Sequence, residues 1–198
     1  MDAAAWDRRY AGQDMLWSVE PNRFVAEELG GLPPGDALDL ASGEGRNALW
    51  LAERGWTVTA VDFSPVAVQR ARELADARSL GLDHVVADLA SWAPPERAFD
   101  AVVIAYLHLP LEAMSTVLTR AANALRPGGV LLVVGHDQTN IAEGVGGPQD
   151  PGILHTPARI TGALPAMVVE RAERVLRPVT VDGVTRSAVD TLVRAVRP

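Results

Sequence analysis

From Ala37 onward the apolar residues come in short unbroken runs rather than in alternation with polar ones. Ala101-Val102-Val103-Ile104-Ala105 and Val130-Leu131-Leu132-Val133-Val134 are the clearest of these. Such runs suit parallel strands covered on both faces, where neither side calls for a polar residue. They predict strands at 99–105 and 130–135, and shorter runs predict others at 37–40, 57–61 and 84–87. Between them lie segments of helical period, at 47–54, 65–80 and 111–125. Strand and helix alternating in this way predict an α/β, doubly wound, mostly parallel sheet with helices on both faces.

The two ends of the chain break the alternation. Residues 167–181 and 185–197 read as two long β segments around Asp182-Gly183, a hairpin signal. An antiparallel C-terminal hairpin added to five parallel strands makes a seven-stranded, Rossmann-like sheet. Ahead of the hairpin lie a surface loop at 144–152 and a short helix near 157–164. At the other end, Trp6 and Tyr10 are four residues apart and share a helical face, Gly12 interrupts, and a helix restarts at 22–29. The chain is read as a single domain, residues 1–198, with 1–35 a helical lid or cap and 36–198 the Rossmann-like core. Trp6 and Tyr10 are assigned to packing; for Trp17, packing and a place at the wall of a cofactor site weigh equally.

Composition removes many chemistries. There is no cysteine, which excludes disulfides, thiolate metal sites and cysteine nucleophiles. There is no lysine either, since all 18 basic residues are arginine, and Schiff-base and P-loop chemistry go with it. A net charge of −7 argues against a nucleic-acid partner. No apolar run is long enough to cross a bilayer, and the first residues lack the order of a signal peptide, so a cytoplasmic location and no membrane partner are expected.

The chemistry is expected where strands end. Ala37-Leu38-Asp39-Leu40 runs into the small-residue turn Ala41-Ser42-Gly43-Glu44-Gly45 and then a helix, which sets bare backbone at the carboxyl edge of a sheet. Alone, Gly43 to Ala48 also fits the dinucleotide fingerprint, so a nicotinamide-dependent oxidoreductase is a rival. Asp62 ends the second strand 19 positions after Gly43, a distance that suits hydrogen bonds to ribose hydroxyls. Ser64 and Pro65 then read as N-cap and first turn of a helix. Asp88-Leu89 follows the third strand, where a carboxylate and a backbone N–H can meet an adenine edge.

The series Asp39 to Gly45, Val61-Asp62-Phe63-Ser64, Ala87-Asp88-Leu89 and Arg126-Pro127-Gly128-Gly129 resembles class I S-adenosylmethionine-dependent methyltransferases. Trp17, Pro21-Asn22 and Gly45-Arg46-Asn47-Ala48 resemble the tellurite-resistance and thiopurine methyltransferase-like branch that acts on small molecules. The resemblance implies S-adenosylmethionine as cofactor, with Asp39 near its amino group and Ala41, Gly43 and Gly45 under its methionine part. It implies Asp62 at the ribose and Asp88 with Leu89 at the adenine, with Phe63, Ser64, Arg46, Asn47, Ala105 and Trp17 completing the set.

The implied activity is in-line methyl transfer to an S, O or N nucleophile of a small-molecule acceptor. A protonated acceptor needs a base, for which His108 and His136 are the candidates, with Asp137 beside His136 at the pocket wall. His84 and His155 are assigned to structure or solvent. No metal is expected. A methyltransferase-like module that binds without turnover is the remaining alternative.

Overall fold

A computed structural model describes residues 20–181 and 183–198; the expectations for Trp6, Tyr10 and Trp17 lie outside these residues. The elements are α1 (Arg23–Leu29), β1 (Asp36–Leu40), α2 (Arg46–Glu53), β2 (Thr57–Asp62), α3 (Pro65–Ala77), β3 (Leu82–Val86), β4 (Phe99–Ala105), α4 (Leu111–Ala124), β5 (Leu125–His136), α5 (Asn140–Glu143), α6 (Pro157–Gly162), β6 (Val168–Val181) and β7 (Val184–Val196). One seven-stranded sheet has the order β3-β2-β1-β4-β5-β7-β6. The first five strands pair in parallel, β7 runs antiparallel to β5, and β6 antiparallel to β7.

Alternation within each strand divides the core. Leu38, Leu40, Val102, Ile104, Leu131 and Val133 pack with Met114 and Leu118 of α4 and Ile160 of α6. Ala37, Val58, Ala101, Val103, Leu132 and Val134 point the other way, against Phe24 and Leu29 of α1 and Trp50 and Leu51 of α2. With both faces covered, the unbroken apolar runs have a physical reason.

Capping chemistry fixes several helix starts. The Ser64 hydroxyl accepts from the Ala67 N–H at 3.1 Å, ahead of Pro65 in the first turn of α3. Helix α3 stops at Ala77, earlier than the predicted Leu80. Ser79 takes a left-handed conformation (φ 55°), and the Leu80 N–H reaches back to the Ala75 carbonyl at 2.9 Å. That closure normally uses glycine; here Gly81 comes two residues too late to mark it. Strand β5 begins at Leu125 rather than 130. The Gly128 N–H donates to the Arg197 carbonyl and the Arg197 N–H to Gly129, so the Pro-Gly-Gly entry already lies against the end of β7.

Asn22 precedes α1 as its cap, with its Oδ1 accepting from the Phe24 and Val25 N–H groups at 2.9 and 3.4 Å. Its own N–H donates to Asn47 Oδ1 at 2.9 Å, which ties α1 to the start of α2. Asn22→Ala is expected to lower stability by about 1–2 kcal/mol. A urea titration measures it; an unchanged midpoint would mean that the side-chain cap does not matter, since alanine keeps the backbone N–H that reaches Asn47.

Candidate active site

Strand order places the ends of β3, β2, β1 and β4 side by side, so Asp88, Asp62, the 41–45 turn and Ala105 share one edge of the sheet. The turn is tightly wound: Ala41, Gly43 and Gly45 all have positive φ, at 58°, 55° and 83°. A Cβ on Gly45 would sit 3.1 Å from the Ala71 Cβ of α3. That glycine therefore also serves the packing of the turn against α3, beyond the backbone approach to a ligand read from the sequence.

Asp62 braces the turn. Its Oδ2 accepts from the Gly43 N–H at 2.8 Å and its Oδ1 from the Ser64 N–H at 2.9 Å, and only 4% of the residue is exposed. Asp39 is buried just as deeply but differs in kind. By geometry neither of its oxygens has a hydrogen bond among the described residues. Burial raises its pKa to about 7, against the opposing pull of the Arg46 charge and the nearby Ala48 N–H. A carboxylate so buried carries a desolvation cost that these two neighbours offset only in part and that a further cationic group brought beside it would reduce.

The other expected cofactor positions divide. Asp88 is exposed, and its Oδ1 accepts from the Ala90 N–H. The Leu89 side chain is buried in the core, and Phe63 is partly covered. Ser64 caps α3, and Asn47 is buried with its Oδ1 spent on Asn22. Arg46 sits at the start of α2, with its guanidinium carbon 6.0 Å from the centre of the Tyr106 ring.

Beyond β4 and β5 lies a cluster of ionisable side chains. Tyr106 follows β4 with φ 61°, and its hydroxyl donates to Asp190 Oδ2 at 2.7 Å and accepts from Asn22 Nδ2 at 3.4 Å. Arg177 Nε donates to the same Asp190 oxygen at 2.7 Å. The other oxygen, Oδ1, faces His136 Nδ1 at 3.2 Å, close enough for an ionic contact although not aligned as a hydrogen bond. Burial alone would raise the Asp190 pKa, but His136, Arg177 and Tyr106 together hold it down to about 2. Burial and the Asp190 charge push the Tyr106 hydroxyl upward.

The two candidate histidines sit differently. His108 Nε2 accepts the His136 backbone N–H at 3.0 Å, which occupies the lone pair that a base would use. Burial and the neighbouring imidazoles His155 and His136 lower its pKa to about 3. His155, assigned to structure or solvent, is 3% exposed and stacks on His108 at 4.9 Å, while His136 stacks on His108 at 5.5 Å. Burial lowers the His155 pKa to about 4. A Cβ on Gly147 (φ 75°) would lie 2.6 Å from His136 Cδ2, so the loop closes over that ring only with a bare backbone there. His136 Nε2 has no hydrogen-bond partner among the described residues.

Asp137 does not line this cluster as expected. It is fully buried, accepting from the Thr139 N–H and hydroxyl, Arg174 Nε and the Thr191 hydroxyl. Adjacent residues of a strand face opposite sides, and that alternation turns Asp137 away from His136. His84 lies on β3 with Nδ1 3.1 Å from the Leu82 carbonyl, remote from the cluster in the strand order.

Sequence reading placed Tyr106 to Leu111 at a pocket wall but missed Arg177 and Asp190. Asp190 carried a signal: it is a carboxylate within Ala188-Val189-Asp190-Thr191-Leu192-Val193, an otherwise largely apolar strand. The pairing of His136 with Asp190 depends on the β5–β7 register, which no local pattern announces.

The chain is similar to known methyltransferases in sequence and in fold. A family described as "Methyltransferase domain" matches residues 37–129. A demethylmenaquinone methyltransferase of Thermus thermophilus is 35% identical over 125 residues, 62% of this chain and 55% of that protein. The chain spans about half the length of the curated relatives it matches. A structure described for the conversion of a disulfide bond into a thioacetal group during echinomycin biosynthesis is 26% identical, with a TM-score of 0.77 over 98% of this chain and 92% of the other. The N-methyltransferase NodS of Bradyrhizobium japonicum, solved with S-adenosyl-L-homocysteine, is 18% identical with a TM-score of 0.77 over all of both chains. Residues 37–129 are thus similar to the methyltransferase-domain family, and the sheet as a whole is similar to the Rossmann-like fold of the solved NodS N-methyltransferase.

Proposed function

We propose that this protein transfers the methyl group of S-adenosylmethionine to a small-molecule acceptor with an ionisable X–H group. The observation that carries the reading is Asp39, a carboxylate with 1% exposure and, by geometry, no hydrogen bond among the described residues, at the head of a glycine turn. The cofactor carries an ammonium and a sulfonium, and a cation held there would add to the pull of Arg46 in offsetting the cost of burial. When bound, it supplies an electrophilic methyl whose departure leaves a neutral thioether. The 41–45 turn lies under the methionine part, Asp62 meets the ribose hydroxyls, and Asp88 with the Leu89 N–H meets the adenine.

On the acceptor side, His136 is the base. Asp190 faces Nδ1, which favours the tautomer with a proton there and leaves Nε2 to take the proton of the acceptor. His108 holds the His136 backbone rather than accepting a proton itself. A small acceptor of the tellurite-resistance and thiopurine methyltransferase-like type is part of the same reading. Its motif Pro21-Asn22 and Arg46-Asn47 is joined by the Asn22–Asn47 hydrogen bond. The disulfide-to-thioacetal conversion of the echinomycin-biosynthesis relative favours a soft acceptor atom.

Calorimetry tests the cofactor. S-adenosylmethionine and S-adenosylhomocysteine are expected to bind and NADH is not; binding of NADH alone would replace this reading with the oxidoreductase one. Transfer of labelled methyl to thiols, phenols or amines then separates an enzyme from a binding module.

A further inference from the structure

Tyr106 sits where the backbone bends against its own preference. Its φ of 61° lies in the left-handed region, which glycine or asparagine enters readily and a bulky residue seldom does. Its N–H still donates to the Val134 carbonyl at 2.7 Å, so the bend comes just as β4 leaves β5. An aromatic residue held in such a conformation points to a use for its side chain.

The hydroxyl has one proton, and its neighbours fix where that proton goes. Asn22 Oδ1 accepts from the Phe24 and Val25 N–H groups, so the atom 3.4 Å from the Tyr106 oxygen is the Nδ2 donor. The phenol oxygen therefore accepts from Asn22, and its proton goes to Asp190 Oδ2 at 2.7 Å. Burial and the Asp190 charge push ionisation of the hydroxyl upward, so it serves as a donor and not as the base.

Asp190 has two oxygens to share. Tyr106 and the Nε of Arg177 both donate to Oδ2 at 2.7 Å, and His136 Nδ1 faces Oδ1 at 3.2 Å. A guanidinium can offer parallel donors to both oxygens of a carboxylate, and that forked pairing is a strong one. If Asp190 turned to meet it, Oδ1 would leave His136. A hydroxyl bonded to Oδ2 opposes the turn, because the fully buried carboxylate would have to give up that short bond. The Tyr106 ring also lies 5.1 Å from the His136 ring, tilted by 56°, so one side chain touches both members of the pair.

Resting on the function proposed above, we propose that Tyr106 is a positioning residue: its hydroxyl holds Asp190 in the orientation that keeps Oδ1 on His136 Nδ1 and leaves Nε2 bare for the acceptor proton. It acts through Asp190.

The test uses full-length protein saturated with S-adenosylhomocysteine and carrying isotopically labelled histidine. The ring-nitrogen NMR signals of His136, identified by their loss in His136→Ala, report its tautomer without any acceptor. Wild type is expected to show a single tautomer, protonated at Nδ1. Tyr106→Phe, which keeps the ring and removes only the hydroxyl, is expected to show a mixture. With S-adenosylmethionine, Tyr106→Phe is expected to slow methylation of benzyl mercaptan, a thiol protonated near neutral pH, about tenfold. It should leave 4-nitrothiophenol, ionised there, nearly unchanged. In an Asp190→Asn background the same substitution should add no further loss, since its effect runs through that carboxylate. S-adenosylhomocysteine affinity and the melting curve show whether each variant is folded. Should neither thiol be methylated, the tautomer decides alone. An unchanged His136 tautomer in folded Tyr106→Phe, equal slowing of the two thiols, or a full further loss in Asp190→Asn would each overturn the inference. Wild-type protein that binds no S-adenosylhomocysteine, or a rate on benzyl mercaptan unchanged by His136→Ala, would instead overturn the function on which it rests.

Discussion

Asp39→Asn is expected to make the ligand-free protein more stable near pH 8 and a poorer binder of S-adenosylmethionine. The native carboxyl has a pKa of about 7 against 3.8 for the unfolded group, because burial penalises its charged form. Between those two values the folded state holds a proton that the unfolded state has lost. Stability therefore falls as pH rises from near 4 to near 7, and the full cost persists above 7. A shift of this size corresponds to roughly 4 kcal/mol, an order-of-magnitude figure. Asparagine carries no charge, so the variant should match wild type near pH 4 and melt higher at pH 8. Binding should move the other way: an ionised Asp39 attracts an ammonium, so wild-type affinity climbs through pH 7. The variant is expected to be flat over the same range and at least about tenfold weaker at pH 8. Thermal melts across pH and calorimetry at two pH values check both halves. A lower melting point at pH 8, or undiminished affinity, would show that Asp39 has a partner within the fold and no part in holding the cofactor.

That the strand-end residues proposed to hold the cofactor share one edge was legible because their signals are local. Asp39, Gly43, Gly45, Asp62 and Asp88 each lie at the end of an apolar run, and parallel strands with helical crossovers bring such ends to one edge. What locality cannot give is how much of each group is spent on the fold. Asp62 binds two backbone N–H groups and Asn47 binds Asn22, whereas by geometry the Asp39 oxygens have no hydrogen bond among the described residues, and nothing in the sequence ranks the three. The acceptor side was legible only in part. His108 and His136 follow their strands as read, but the roles separate through one hydrogen bond between them. Asp190 and Arg177 reach the site through an antiparallel register more than fifty residues downstream of His136 in one case and about forty in the other, and pairing across such distances leaves no local trace.

The largest kinetic loss is expected at His136. With Asp190 on Nδ1, its Nε2 is the group placed to take a proton, a contribution worth about 10²- to 10⁴-fold. His136→Ala should lower kcat/KM by that factor for acceptors whose X–H group is protonated at the assay pH. For acceptors already ionised the loss should be small, since no proton remains to be moved. S-adenosylhomocysteine affinity should stay unchanged in both cases. Asp190→Asn is expected to resemble His136→Ala on protonated acceptors, because the amide can turn a donor toward Nδ1 and favour the wrong tautomer. The pKa of Asp190 is held down to about 2, so its carboxylate is charged throughout the working range and contributes no limb to the pH–rate profile there. Its contribution to stability is present above the unfolded value of 3.8 and fades as pH falls toward 2, and Asp190→Asn should abolish that acid-range slope. A series of phenols or thiols of graded acidity, assayed with wild type and both variants, resolves the roles. If His136→Ala slows acidic and weakly acidic acceptors by the same factor, His136 positions the acceptor and some other group takes its proton.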